Sequence, residues 1–214
     1  MTNALVGYLH AGDVAPAGAL YDYVFAGNGV FIRAANHWLR VQFQISSCEI
    51  RGLPELEETY EFSGPLVPIE VVSAMMTVAR QHALEDREVL FHLVTESNGF
   101  LDIRDLAEPW QLVVPDQEAG SVHCKPLDSG PDSSHARAVI ECHSHHSMSA
   151  DFSGMDDEAQ QGFRVYAVVG RVLTSPEIRV RVGCHGYFWE IPANWVFEMP
   201  KGLKNCSGEA ENRE

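Results

Sequence analysis

The tripeptide Gly27-Asn28-Gly29 separates two β-prone runs, Leu20–Ala26 and Val30–Asn36. Glycine and asparagine tolerate the positive φ that a tight hairpin needs, and the flanking runs are rich in Tyr, Val, Phe and Ile. Antiparallel β structure is therefore expected over 20–36. The next run, HWLRVQFQIS, carries apolar residues at Trp38, Val41, Phe43 and Ile45 and reads as a further strand. Gly64-Pro65 and Pro68 mark a boundary. Beyond it Ile69, Val72, Met76, Ala79 and Ala83 recur at helical spacing, with Pro68 suited to the first turn, so one helix is expected over 68–84 with this stripe as its core face.

Short apolar runs follow. Residues 88–94, 111–114, 137–142, 164–173, 177–183 and 185–191 read as strands, and 153–163 as a short helix. The stretch 115–136 is rich in Gly, Pro, Ser and Asp. A mobile loop beside a functional site is expected there. The last fourteen residues, 201–214, are polar and are expected to form a flexible tail. No internal repeat is visible.

The chain has 15 Lys and Arg against 30 Asp and Glu, a formal net charge of −15. That balance argues against a general nucleic-acid binder, which needs a basic face to displace counterions. No run of about 18 apolar residues is present, so no membrane partner is expected. Nor does the first segment carry a basic region followed by an apolar run, so no secretory leader is expected and a cytoplasmic location is. The five cysteines (48, 124, 142, 184, 206) form no CxxC pair, which makes both a disulfide framework and a cysteine zinc knuckle poor readings.

Chemistry concentrates in Glu141-Cys142-His143-Ser144-His145-His146, followed by Ser153-Gly-Met-Asp156. Alternation on a strand sends His143 and His145 to one face, where two imidazoles can grip one ion. Asp156, at the start of the next helix, can fold back as a third ligand. Two His and one carboxylate leave a position open, as in catalytic rather than structural zinc sites. Each half also has a plain reading. The histidines can be a polar loop, and Ser153-x-x-Asp156 is a helix-capping signature.

Taken together, the two halves make H-S-H-x7-S-x2-D, which resembles the motif of the JAMM (MPN+) metalloproteases. Over about residues 66–198 the resemblance implies one zinc ion per chain held by His143, His145 and Asp156, with Ser153 donating to an oxyanion. It also implies a general base on the strand after the first helix, where Glu88 is the match. Glu85, Asp86, Glu96 and Glu141 compete for that role. Gly186-Tyr187-Phe188 is similar to the late strands of prokaryotic members. The layout is similar to the JAMM members of bacterial PRTRC cassettes.

The implied fold is α+β: a central β-sheet packed with helices in cytidine-deaminase-like α/β/α layers (66–200), preceded by a small β-rich extension (1–65) and ending in the tail 201–214. The implied activity is hydrolysis of the peptide or isopeptide bond after the C-terminal glycine of a ubiquitin-like modifier. That modifier is the expected partner, with a ThiF-like activating enzyme of the same cassette as a second. A non-catalytic MPN-type scaffold is the alternative, although such scaffolds lack the ligand set. A zinc deaminase would need H-x-E and P-C-x-x-C, and the chain has neither. One departure is His146, where the family usually has Pro; alternation turns it away from the other two histidines. Cys142 is expected in the core. Glu141 is read either as orienting an imidazole or as a solvated charge, and His92 as a satisfied partner rather than a ligand. His123 and Cys124 can bind metal, but their spacing matches no known pattern.

Overall fold

A computed structural model describes residues 5–14, 19–95 and 109–207. The chain divides into two units, Met1–Ser63 and Gly64–Glu214. Both are built on β-sheet, and the second adds helices, so the class is α+β. No helix among the described residues is long and apolar enough to cross a membrane.

The first unit is one five-stranded sheet: β1 (Val6–His10), β2 (Tyr21–Ala26), β3 (Gly29–Ala35), β4 (Leu39–Ser47) and β5 (Thr59–Phe62), in chain order. β1 runs parallel to β2 and every later pair is antiparallel. Ala26 pairs with Gly29, so Gly27 and Asn28 alone make the turn. A side chain on Gly29 would collide with the Ser46 carbonyl, 2.2 Å from where its Cβ would stand. The Asn28 amide donates to the Leu56 carbonyl at 2.8 Å, and its oxygen accepts from Leu56 N at 3.0 Å, which ties the connection before β5 to this turn. In β4 the buried apolar set is Leu39, Val41 and Phe43. Trp38 does not belong to it, because Asn36 Oδ1 accepts from both Trp38 N and Leu39 N at 2.8 Å and holds the chain in a turn there.

The second unit opens with α1 (Ile69–Ala83), a 15-residue helix with Pro68 at its N-cap position. Its buried stripe is Val72, Met75, Met76, Ala79 and Ala83. Ile69, expected in that stripe, is 38% exposed. Strands β6 (Leu90–Thr95), β7 (Trp110–Val113), β10 (Ile140–Ser144), β11 (Arg164–Gly170), β12 (Glu177–Cys184) and β13 (Tyr187–Glu190) lie in the order β13-β12-β11-β10-β6-β7. β10 is central and mostly buried: antiparallel to β6 on one side, parallel to β11 on the other. The parallel step is made through α3 (Gly154–Ala159), so the loop leaving the C-terminal end of β10 and the start of α3 meet at one end of the sheet.

Two expectations are corrected. The stretch 115–136 is not a structureless loop. It contains the hairpin β8 (Gln117–Ala119) and β9 (Cys124–Pro126), and leads into a short helix α2 (Ser134–Arg137) capped by Ser133. Its polar composition conceals the order, because Gln117 supplies the hydrogen bonds an apolar strand would not: its amide accepts from Leu90 N at 2.7 Å and donates to Leu90 O at 3.2 Å. The tail does not fray from 201 either. β14 (Lys204–Asn205) pairs parallel with β12, and buried Ser207 accepts from Val180 N at 2.7 Å. Residues 208–214 of that expected tail lie outside the described residues.

Candidate metal centre

β10 is fixed as extended backbone past its last ladder bond. Ser144 N donates to Val89 O, and Val89 N donates to Ser144 Oγ, each at 3.0 Å; His145 N donates to Val169 O at 2.8 Å. Alternation over this enforced stretch sends His143 and His145 to the same side. Both are largely buried, at 4% and 7% exposure. The chain then turns at His146, whose φ of +29° takes its ring off that face.

Asp156 arrives from α3. Ser153 and Asp156 form a complete capping box. The box satisfies the free N–H groups of the helix start and also fixes the carboxylate. His143 Nε2 stands 2.9 Å from Asp156 Oδ1 and 3.1 Å from His145 Nε2, and His145 Nε2 is 3.8 Å from Asp156 Oδ2. Ligand atoms around a tetrahedral zinc at about 2.0–2.1 Å lie about 3.3 Å apart, so the three are spaced for one ion. His145 Nδ1 donates to the Ser149 carbonyl at 3.0 Å, which leaves Nε2 as a lone-pair donor. Burial pushes the His145 pKa down, keeping the ring neutral as a ligand must be. Burial pushes the Asp156 carboxyl up, but the His143 hydrogen bond and charge, and the two Ser153 donors, outweigh it and hold it well below the ordinary carboxylate range. The donor set therefore fits a divalent ion such as zinc.

Glu88 enters from the segment leading into β6. Its backbone N–H is held by the Gly120 carbonyl at 2.8 Å. The residue is 2% exposed, and Oε1 lies 4.0 Å from His145 Nε2 with no hydrogen-bond partner. Burial raises its pKa, with His143 opposing. A buried carboxylate oxygen without a partner beside a ligand set is the arrangement of a base awaiting a proton donor.

The competing acids separate on position. Glu85 is exposed and paired with Arg87, Asp86 is exposed at a positive φ of 55°, and Glu96 lies outside the described residues. Glu141 does not orient His143. Its Oε2 faces His135, Arg164 and His92 at 3.2, 3.6 and 3.9 Å. Nor is His92 a satisfied partner throughout: Nδ1 meets Ser134 Oγ at 2.8 Å, while Nε2 has no hydrogen bond. His146 is no ligand to the His143 group; its Nε2 donates to the Ser121 carbonyl at 2.7 Å. Cys142 is fully buried, as alternation requires. His123 stands 3.8 Å from Glu118 at the surface.

Sequence reasoning missed Ser144, Ser149, Gln117 and Arg181. Arg181 is 4% exposed and lies between the rings of Phe152 and Phe188, 3.8 and 3.7 Å from their centroids. It donates to Gln160 Oε1 at 2.8 and 3.1 Å and to Asp157 Oδ1 at 2.6 Å, and so anchors the helix that carries Asp156. Ser144 had a signal, its place between two of the three residues; Ser149 acts through its backbone carbonyl, which no side-chain motif encodes, and Gln117 and Arg181 bond to distant segments and have none in the local sequence. No protein-family model and no curated protein matches the chain.

Proposed function

We propose that the protein is a zinc-dependent peptidase or isopeptidase of the JAMM type, cutting after the C-terminal glycine of a ubiquitin-like modifier. The observation that carries this reading is the buried, partnerless Glu88 Oε1, 4.0 Å from His145 Nε2, at the edge of a His2Asp group. The residue motif supplies the family; the site geometry is compatible with it.

A zinc ion held by His143, His145 and Asp156 would supply Lewis-acid activation of a water and of the scissile carbonyl. Glu88 takes the proton from the attacking water and delivers it to the leaving amine. Its raised pKa suits both halves of that task. The Ser153 hydroxyl is committed to Asp156 Oδ2 at 2.7 Å, so it serves as an oxyanion donor only by rotating away from that carboxylate. No cysteine is needed as a nucleophile. Burial pushes the thiols of Cys142 and Cys184 up, away from the reactive thiolate.

The test is hydrolysis of a ubiquitin-like protein carrying a fluorogenic amide on its terminal glycine. Zinc-loaded protein should release the fluorophore, and chelation should stop it. Glu88→Gln should keep its zinc and lose activity by roughly 10²–10⁴. Full activity after removal of the metal, or in the His143→Ala variant, would refute the reading.

A further inference from the structure

We propose that His92, His135 and Glu141 form a second site for a divalent transition-metal ion, distinct from the His143 group. Three elements converge there. His92 comes from the middle of β6 and Glu141 from β10, where the two are register partners. His135 comes from α2. His135 Nδ1 is 3.2 Å and His92 Nε2 3.9 Å from Glu141 Oε2, and the two rings are 5.5 Å apart between centroids. All the candidate ligand atoms lie within 4.8 Å of one another.

The decisive feature is that His92 Nε2, His135 Nδ1 and Glu141 Oε2 are all buried atoms without a hydrogen-bond partner. Buried polar atoms are rarely left bare, so three that face one another call for a shared partner. A cation satisfies all three at once. The remaining contacts prepare them for it. Ser134 Oγ, 2.8 Å from His92 Nδ1, can accept from it, and Nε2 is then the lone-pair donor of the ring, turned towards Glu141. Two imidazoles and a carboxylate suit zinc, cobalt or nickel better than calcium or magnesium.

Among the described residues the opposing charge is Arg164, 3.6 Å from Glu141 Oε2. Its guanidinium donates to the His135 carbonyl at 2.7 Å, so it is held by the backbone of α2 and does not close the group. It offsets part of the Glu141 charge, and the second ion is therefore bound more weakly than the first. The His135 side chain, 31% exposed, is the way in. An ion here pins α2 to β6 and β10 and so fixes the segment that follows the β8–β9 hairpin. Its role is structural.

Equilibrium dialysis of the full chain against Zn²⁺, with metal counted by mass spectrometry, tests the site without any substrate. Its outcome is thus independent of the peptidase reading. Wild type should take up two equivalents. His135→Ala and Glu141→Gln should each take up one, as should the His143→Ala/His145→Ala double variant. His135 is chosen because its partly exposed side chain can be removed without opening the core. Dialysis with Co²⁺ should give the same counts, and the second equivalent should protect 127–138 from proteolysis. No zinc bound by the His143→Ala/His145→Ala variant, or two equivalents retained in His135→Ala, overturns the proposal.

Discussion

Three hydrogen bonds join Ser153 to Asp156: Ser153 N and Oγ donate to Asp156 Oδ2 at 2.6 and 2.7 Å, and Asp156 N donates back to Ser153 Oγ at 3.2 Å. One pair thus caps a helix and aims the Asp156 carboxylate at His143. Ser153→Ala removes the cap and one of the two bonds that aim the carboxylate, leaving the bond from Ser153 N. It should lower stability by about 1 kcal/mol, the usual cost of a cap. It should also weaken zinc binding by about 10–100-fold, the usual cost of losing a ligand's supporting partner. Competition with a chromophoric chelator measures the second effect. Ser153→Thr, which keeps the hydroxyl, should restore most of it.

Glu88 gives a pH-dependent signature in the metal-free protein. Its folded pKa is raised, so the fold disfavours the charged form. The penalty is absent below the ordinary glutamate pKa. It develops as pH rises from there through the raised folded value, and persists above. Glu88→Gln should therefore melt higher than wild type near pH 7, and the difference should close near pH 4. Thermal melts at the two pH values check this. Equal gaps at both would show that the carboxylate carries no burial penalty.

Gln117 holds the start of β6 by two bonds to Leu90. Gln117→Ala leaves the Leu90 N–H without its acceptor, at a cost of about 1–3 kcal/mol. Because Leu90 is two residues from Glu88, turnover of the folded, zinc-loaded protein should fall as well. Calorimetry with single-turnover kinetics measures both. A change in Michaelis constant alone, with melting unaffected, would restore the picture of a mobile substrate loop.

Arg181 holds α3 through Asp157 and Gln160 while stacked between two rings. Arg181→Lys preserves the charge but not the planar fork or the stacking. It should destabilise by about 2 kcal/mol or more and weaken zinc binding through displacement of Asp156. Denaturant melts of the metal-free protein and zinc titration measure the two separately.

Much of the ligand set is legible in the sequence because it is local. A period of two places His143 and His145 on one face, and a three-residue spacing makes Ser153 and Asp156 a capping box, whatever surrounds them. The β2–β3 turn and the stripe of α1 are local for the same reason. Composition misleads where side chains replace backbone partners. The polar stretch 115–136 is ordered because Gln117 and the Gly120 and Ser121 carbonyls bond to β6, to Glu88 and to His146. Only the tertiary structure decides what meets across strands. The β6–β10 register sets His92 opposite Glu141, and the bond from Val89 N to Ser144 Oγ brings Glu88 to His145. A one-residue slip of that register would turn His92 to the other face. Register is fixed by the packing of the whole sheet, and no local pattern in the chain encodes it.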